Sequence, residues 1–269
     1  MKFISKITLS LLVVGALIYA GCKKIQSNPA TTSKSGATAA QNGQIAVNLY
    51  KALTGKFGGA NINNGLKPPS NLAMGHNSKV LQSVSALCGF MLDTAFKNVS
   101  MSGDTTVTDT GNFKFVFNCT AGVVNGYSLD DSLSNSQSAP GFLGGVFLGQ
   151  HYTAKGLNPA LTQFLINGQI NSAITSAYQG PPIVTHSLTA QYTLAGLTVD
   201  SSTSPADITT GVATFTITTI DVGPQYGPKG TTTSYAGTIT FLGNHMAKLV
   251  ITGVGSYSVN LITGVTTQI

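Results

Sequence analysis

The sequence contains no Arg, no Glu and no Trp, and charged residues make up only 8% of its 269 positions. Each absence excludes something. Without arginine there is no planar fork for bidentate contacts to phosphates or guanine edges, and the lysines form no cluster interleaved with aromatics, so nucleic acid is not an expected partner. The net charge of +6 is spread thinly and reads as a solubilising surface. Without glutamate the commonest glycosidase acid is missing, and the adjacent carboxylates Asp130 and Asp131 would point to opposite faces of a strand. There is no G-x-S-x-G elbow and no glycine-rich loop followed by Lys-Ser/Thr. The histidines His76, His151, His186 and His245 lie far apart, without H-x-H or H-E-x-x-H spacing, so neither a metal nor another cofactor is expected.

What is present points first to an address. Lys2 and Lys6 precede an uncharged apolar run, Ile7 to Ala20. That run is short for a membrane span, which needs about 20 apolar residues, and suits the central region of a secretory signal peptide. In "LIYAGCKK", Leu17 to Lys24, the small residues Ala20 and Gly21 precede Cys22. This arrangement resembles the lipobox of bacterial lipoproteins, with Tyr19 where Leu, Val or Ile is usual. The resemblance implies cleavage before Cys22 and acylation of its thiol, since only a cysteine can carry the thioether-linked diacylglycerol. Several acyl chains, at about 0.8 kcal/mol per buried methylene, would anchor the chain durably. Lys23 and Lys24 stand where an aspartate would retain a lipoprotein at the inner membrane, which implies outer-membrane delivery; no acidic cluster follows Cys22 to direct it to the cell surface, so the periplasmic face is expected, with the cell surface as the alternative.

Three segments follow: a signal peptide over 1–21, a flexible tether over 22–43 rich in Ser, Thr, Ala and Asn, and one mainly-β domain over 44–269. Ile45, Leu49 and Leu53, closed by Gly55, predict a short amphipathic helix at the start of that domain. Beyond it, Thr, Ser, Gly and Asn fill the polar positions and apolar residues alternate with them. The fold class is mainly β: an antiparallel meander of hairpins, as an open curved sheet, a sandwich or a partial barrel.

The register of the first hairpin can be read directly. Gly103-Asp104 in "SGDT" is a two-residue turn, and folding there pairs positions summing to 207. Cys88 then faces Cys119, Phe90 faces Phe117, Leu92 faces Phe115 and Thr94 faces Phe113, with Asp93 opposite Lys114 on the other side. Strands are also expected over Tyr127 to Leu133, Gly145 to Tyr152, and in the alternating stretches from Val184 onward. Asn167-Gly168 reads as a hairpin turn, with a helix through "ALTQFLINGQINSAI" as the competing reading. Gly243-Asn244 reads as another tight turn, and Gly223 to Gly230 as a longer loop.

With Cys22 acylated, Cys88 and Cys119 are the remaining thiols of an exported chain and are expected to form a disulfide. "LDDSLS", Leu129 to Ser134, resembles a GDSL hydrolase block but has Asp130 where the oxyanion-hole glycine belongs, which argues against an enzyme. The expectation is a lipid-anchored envelope protein that binds or supports, with the membrane as its one identified partner. The alternative is a periplasmic carrier of a hydrophobic ligand, its cavity lined by Phe90, Phe113, Phe115 and Phe117. A hydrolase is the third reading, and it would need a His and a Ser assembled in a cleft. Cells treated with globomycin, which blocks signal peptidase II, should accumulate the uncleaved precursor; normal maturation would remove the lipid anchor from the reading.

Overall fold

Alternating apolar and hydroxyl residues over runs of 12 to 17 positions build long strands, and in the computed structural model they form one open antiparallel sheet. The structure describes residues 39–66, 88–226 and 230–269; Cys22 and His76 lie outside them. A helix, α1 (Ala39–Leu53), is followed by eleven strands in chain order: β1 (Met91–Ser102), β2 (Thr105–Thr120), β3 (Val123–Ala139), β4 (Phe142–Gly156), β5 (Gln163–Tyr178), β6 (Val184–Asp200), β7 (Asp207–Val222), β8 (Thr231–Gly243), β9 (Met246–Ile251), β10 (Gly255–Asn260) and β11 (Thr266–Gln268). Each strand pairs only with its neighbours in sequence, from β1 at one edge to β11 at the other.

The period of two divides the sheet into two faces. On the inner face Phe113, Phe115, Phe117, Tyr127, Leu129, Tyr152, Ile170, Tyr192 and Phe215 are all buried. Helix α1 lies against this face and packs on β9, β10 and β11. Its buried positions, Asn42, Gly43, Ala46, Val47, Leu49, Tyr50 and Leu53, fall three or four apart, as an amphipathic helix requires. Fully buried side chains such as Leu49 and Leu53 contribute about 1.5–3 kcal/mol each. Polar ties orient the helix: Tyr50 Oη donates to the Ala206 carbonyl (2.7 Å), Asn42 Nδ2 to Tyr257 Oη (2.9 Å), and Tyr192 Oη to the Ile45 carbonyl (3.2 Å).

The predicted helix end is observed. Lys56 N–H bonds to the Lys51 carbonyl (2.9 Å) and Gly55 N–H to the Ala52 carbonyl (3.2 Å), a Schellman closure with Gly55 as the left-handed residue. The helix also begins earlier than expected. Ala39 to Gly43, assigned to the tether by their small polar composition, are helical because Asn42 and Gly43 bury against β10 and β11; a Cβ on Gly43 would fall 2.9 Å from Thr266 Cβ.

The first hairpin has the predicted register: Leu92 faces Phe115, Asp93 faces Lys114 and Thr94 faces Phe113, and Gly103 turns the chain at φ +57°. Phe117 N–H extends the ladder to the Phe90 carbonyl at 3.1 Å. Cys88 and Cys119 are disulfide-bonded, with their Cα atoms 5.7 Å apart.

Two turn assignments change. Asn167-Gly168 lies inside β5 as a bulge between Ile166 and Gly168, neither a hairpin turn nor part of a helix. Gly168 is there because β4 passes too close for a side chain: a Cβ would sit 2.5 Å from Tyr152 Cα. Asn167 Oδ1 accepts the Gly196 N–H (2.8 Å), which couples this bulge to the irregularity in β6. The β8–β9 turn is shifted by one residue. Asn244 and His245 occupy its centre at φ +53° and +55°, held by Asp207, which accepts both of their N–H groups at 2.7 and 2.9 Å.

The disulfide closes a separation of 31 residues at the β1 edge. Replacing both cysteines by serine should lower stability by about 3–4 kcal/mol in urea unfolding, with no loss of the remaining sheet by circular dichroism. An unchanged midpoint would show that the bridge contributes nothing to the fold.

Candidate functional site

Asp130 and Asp131 diverge as strand geometry requires. Asp130 is exposed, whereas Asp131, flanked at i±2 by Leu129 and Leu133, is turned into the inner face at 1% exposure. In the β3–β4 ladder Asp131 faces Gln150, a fully buried amide. Asp131 Oδ1 accepts the Gln150 N–H (3.1 Å). The Gln150 side chain then reaches across to the helical segment, where Nε2 donates to the Ala52 carbonyl (3.2 Å) and Oε1 accepts the Ala60 N–H (3.0 Å). Gly59 closes over both groups at φ +76°, and a Cβ there would meet Gln150 Oε1 at 2.2 Å and Asp131 Oδ2 at 2.7 Å.

Asp131 Oδ2 has no hydrogen-bond partner among the described residues. Burial pushes the carboxyl up to about 7, opposed by the N–H groups of Gln150 and Ala60. Neighbouring Tyr127 is pushed up to about 12 by burial, and burial holds Tyr152 well above the usual phenol range. This cluster is sealed from solvent, so its chemistry is to clamp the loop after α1 to the sheet and to take up a proton. The burial of Asp131 was legible from its leucine neighbours; its link to Gln150 required the β3–β4 register.

The described histidines each face one aspartate. His151 Nδ1 lies 2.8 Å from Asp130 Oδ1, His186 Nδ1 2.6 Å from Asp221 Oδ1, and His245 Nδ1 3.4 Å from Asp207 Oδ1. The first two are direct cross-strand partners. Among the described residues no serine hydroxyl hydrogen-bonds to any of these rings, and no three His, Cys, Asp or Glu side chains converge as a metal site. The hydrolase reading therefore gains no nucleophile from these residues.

Of the four phenyl groups expected to line a cavity, three are buried in the core and Phe90 is half-buried at its margin. Phe113, Phe115 and Phe117 are at most 3% exposed, Phe115 stacks on Tyr127 at 4.7 Å and meets Phe117 edge-on at 4.9 Å, and Phe90 packs against the same cluster.

Among the described residues, recessed surface is found on the opposite, outer face. Two hollows flank Phe147, whose ring is 39% exposed and lines both. The smaller, about 120 Å³, includes Asn112, Ser132 and Ser134; the larger, about 370 Å³, includes Asn171, Gln191 and Thr216. Register joins them: Ala95, Asn112, Ser132, Gly149, Asn171, Gln191 and Thr216 are successive partners across seven strands. Gly149 lies between Phe147 and His151, whose rings would come within 3.4 and 3.2 Å of a Cβ placed there. Comparison with protein-family models, curated proteins and solved structures gave no match.

Asp131 makes stability depend on pH. Its ordinary value of 3.8 rises to about 7 on folding, so between those values the folded chain holds more protons than the unfolded one. Its contribution is full below about pH 4, declines as pH rises to about 7 and is flat above, amounting to a few kcal/mol. Urea unfolding of Asp131→Asn should show a shallower decline between pH 4.5 and 8 than wild type, roughly a few kcal/mol less; parallel profiles would place the proton elsewhere.

Proposed function

We propose that this chain is a lipid-anchored cell-envelope protein whose β domain binds a partner through the outer face of its sheet. The observation that carries the reading is the cross-strand band around Phe147, in which an exposed ring stands among exposed and half-buried amides and hydroxyls that line two open hollows. With α1 packed on the inner side of β9, β10 and β11, no described element covers this outer surface. The "LIYAGCKK" segment supplies the address: an acylated Cys22 and a polar tether would hold the domain at the outer membrane.

A carrier of hydrophobic ligands is the second reading. The open sheet with a helix across one face favours it. Against it stands the packing of Phe113, Phe115 and Phe117 into the core.

Native mass spectrometry separates the two readings. The full chain extracted from membranes should appear at the mass of the acylated polypeptide alone; a co-purifying lipid or apolar small molecule, displaced by unfolding, would favour the carrier and count against the binding face.

A further inference from the structure

We infer that the outer-face band binds an uncharged polysaccharide, laid across the strands with sugar rings stacked on Phe147; this rests on the binding reading above and names its ligand class. Four features point to that chemistry. The first is an aromatic platform. A sugar ring has an apolar face of axial C–H groups that packs on an exposed ring, and Phe147 is such a ring at the junction of two hollows.

The second is uncommitted hydrogen-bonding capacity. Asn112, Ser132, Asn171, Gln191 and Thr216 make no side-chain hydrogen bond among the described residues. Elsewhere in the sheet such amides are used: Asn118 bonds Ser128 (3.0 Å), Asn135 bonds Asp109 (2.6 Å) and Asn167 bonds Gly196 (2.8 Å). Carboxamides supply donor and acceptor side by side, which suits vicinal hydroxyls that both give and accept.

The third is charge. No residue of the row from Ala95 to Thr216 is ionisable. The charged groups bordering it gather at the β1–β4 end, where Asp93, Lys114, Asp130 and His151 face one another in alternating sign, and Lys97 stands on the other flank. An anionic polymer would find no cationic track there, and an apolar chain would desolvate the amides without replacing their bonds.

The fourth is shape. Six inter-strand steps of about 4.8 Å make the row roughly 29 Å long, enough for several successive sugar rings. Gly149 keeps its centre low between Phe147 and His151. A linear polymer with repeating ring faces fits such a row better than a single small molecule would.

The purified full chain, in detergent, would be tested by retention on insoluble cellulose, chitin and β-1,3-glucan, with alginate and heparin resins as anionic controls. Retention on at least one uncharged polymer, unchanged in high salt and competed by its soluble oligosaccharides, is expected. Phe147→Ala should weaken it roughly tenfold, as should Gln191→Ala on a separate strand, both with wild-type thermal melts, while Thr252→Ala leaves it unchanged. Wild-type protein that ignores every uncharged polymer, or retention indifferent to both band variants, would overturn the inference; so would salt-sensitive retention on the anionic resins alone. A photo-crosslinker at position 147 separates this from the broader reading: a protein adduct without glycan retention sinks the glycan and leaves a binding face, whereas no adduct and no retention removes both.

Discussion

Everything in this fold depends on one asymmetry: a single sheet has two faces, and among the described residues one short helix lies against one of them. The inner face is apolar where α1 and the loop after it lie, and the buried stripe of α1 finds its partners in β9, β10 and β11. No described element packs on the outer face, which is built from hydroxyls, amides and a few rings. A substitution therefore acts through the face it lands on. Inner positions bear on stability through packing, as Phe115 and Ile170 do, and outer ones on whatever the sheet meets.

The buried Gln150 amide shows how the two layers are fixed in register. Apolar contacts between helix and sheet tolerate sliding, but a carboxamide with its donor and acceptor both engaged does not. By holding the Ala52 carbonyl and the Ala60 N–H together, Gln150 sets where the helix stops and where the chain re-enters the sheet. Asp131 steadies Gln150 from the next strand while leaving one of its own oxygens unpartnered, a local expense that the surrounding apolar packing must offset.

The legible parts of the fold were those carried by local chemistry. Alternation marked the strands, Gly55 marked the helix end, and the Gly103 turn propagated a correct register as far as the disulfide. Asn167-Gly168 was misread because its dipeptide signal is local while its cause is not: the backbone of β4 at Tyr152 is what excludes a side chain. Ala39 to Gly43 were misread because small polar residues look like linker until β10 and β11 are seen beside them. Of the site residues expected from sequence, the cysteine pair was legible through the hairpin. The alternation placed Phe113, Phe115 and Phe117 on one face of β2, but composition alone did not show that they are buried in the core. The outer band was hidden because its members are brought together by six consecutive registers, each set by a different turn. One of these turns, Pro140-Gly141 between β3 and β4, carries an ordinary Pro-Gly signal that would have placed His151 opposite Asp130.

The chain order of the meander also sets an order of assembly. Every ladder joins neighbours in sequence, so each hairpin can zip as soon as its two strands exist, whereas the contacts of α1 with β10 and β11 span nearly the whole domain, Asn42 to Tyr257 being 215 residues apart. A polypeptide that emerges from its amino end presents the helix first and its dock last. Until the final strands arrive, α1 lacks its dock on β9, β10 and β11, and the opening segment must wait for the closing one.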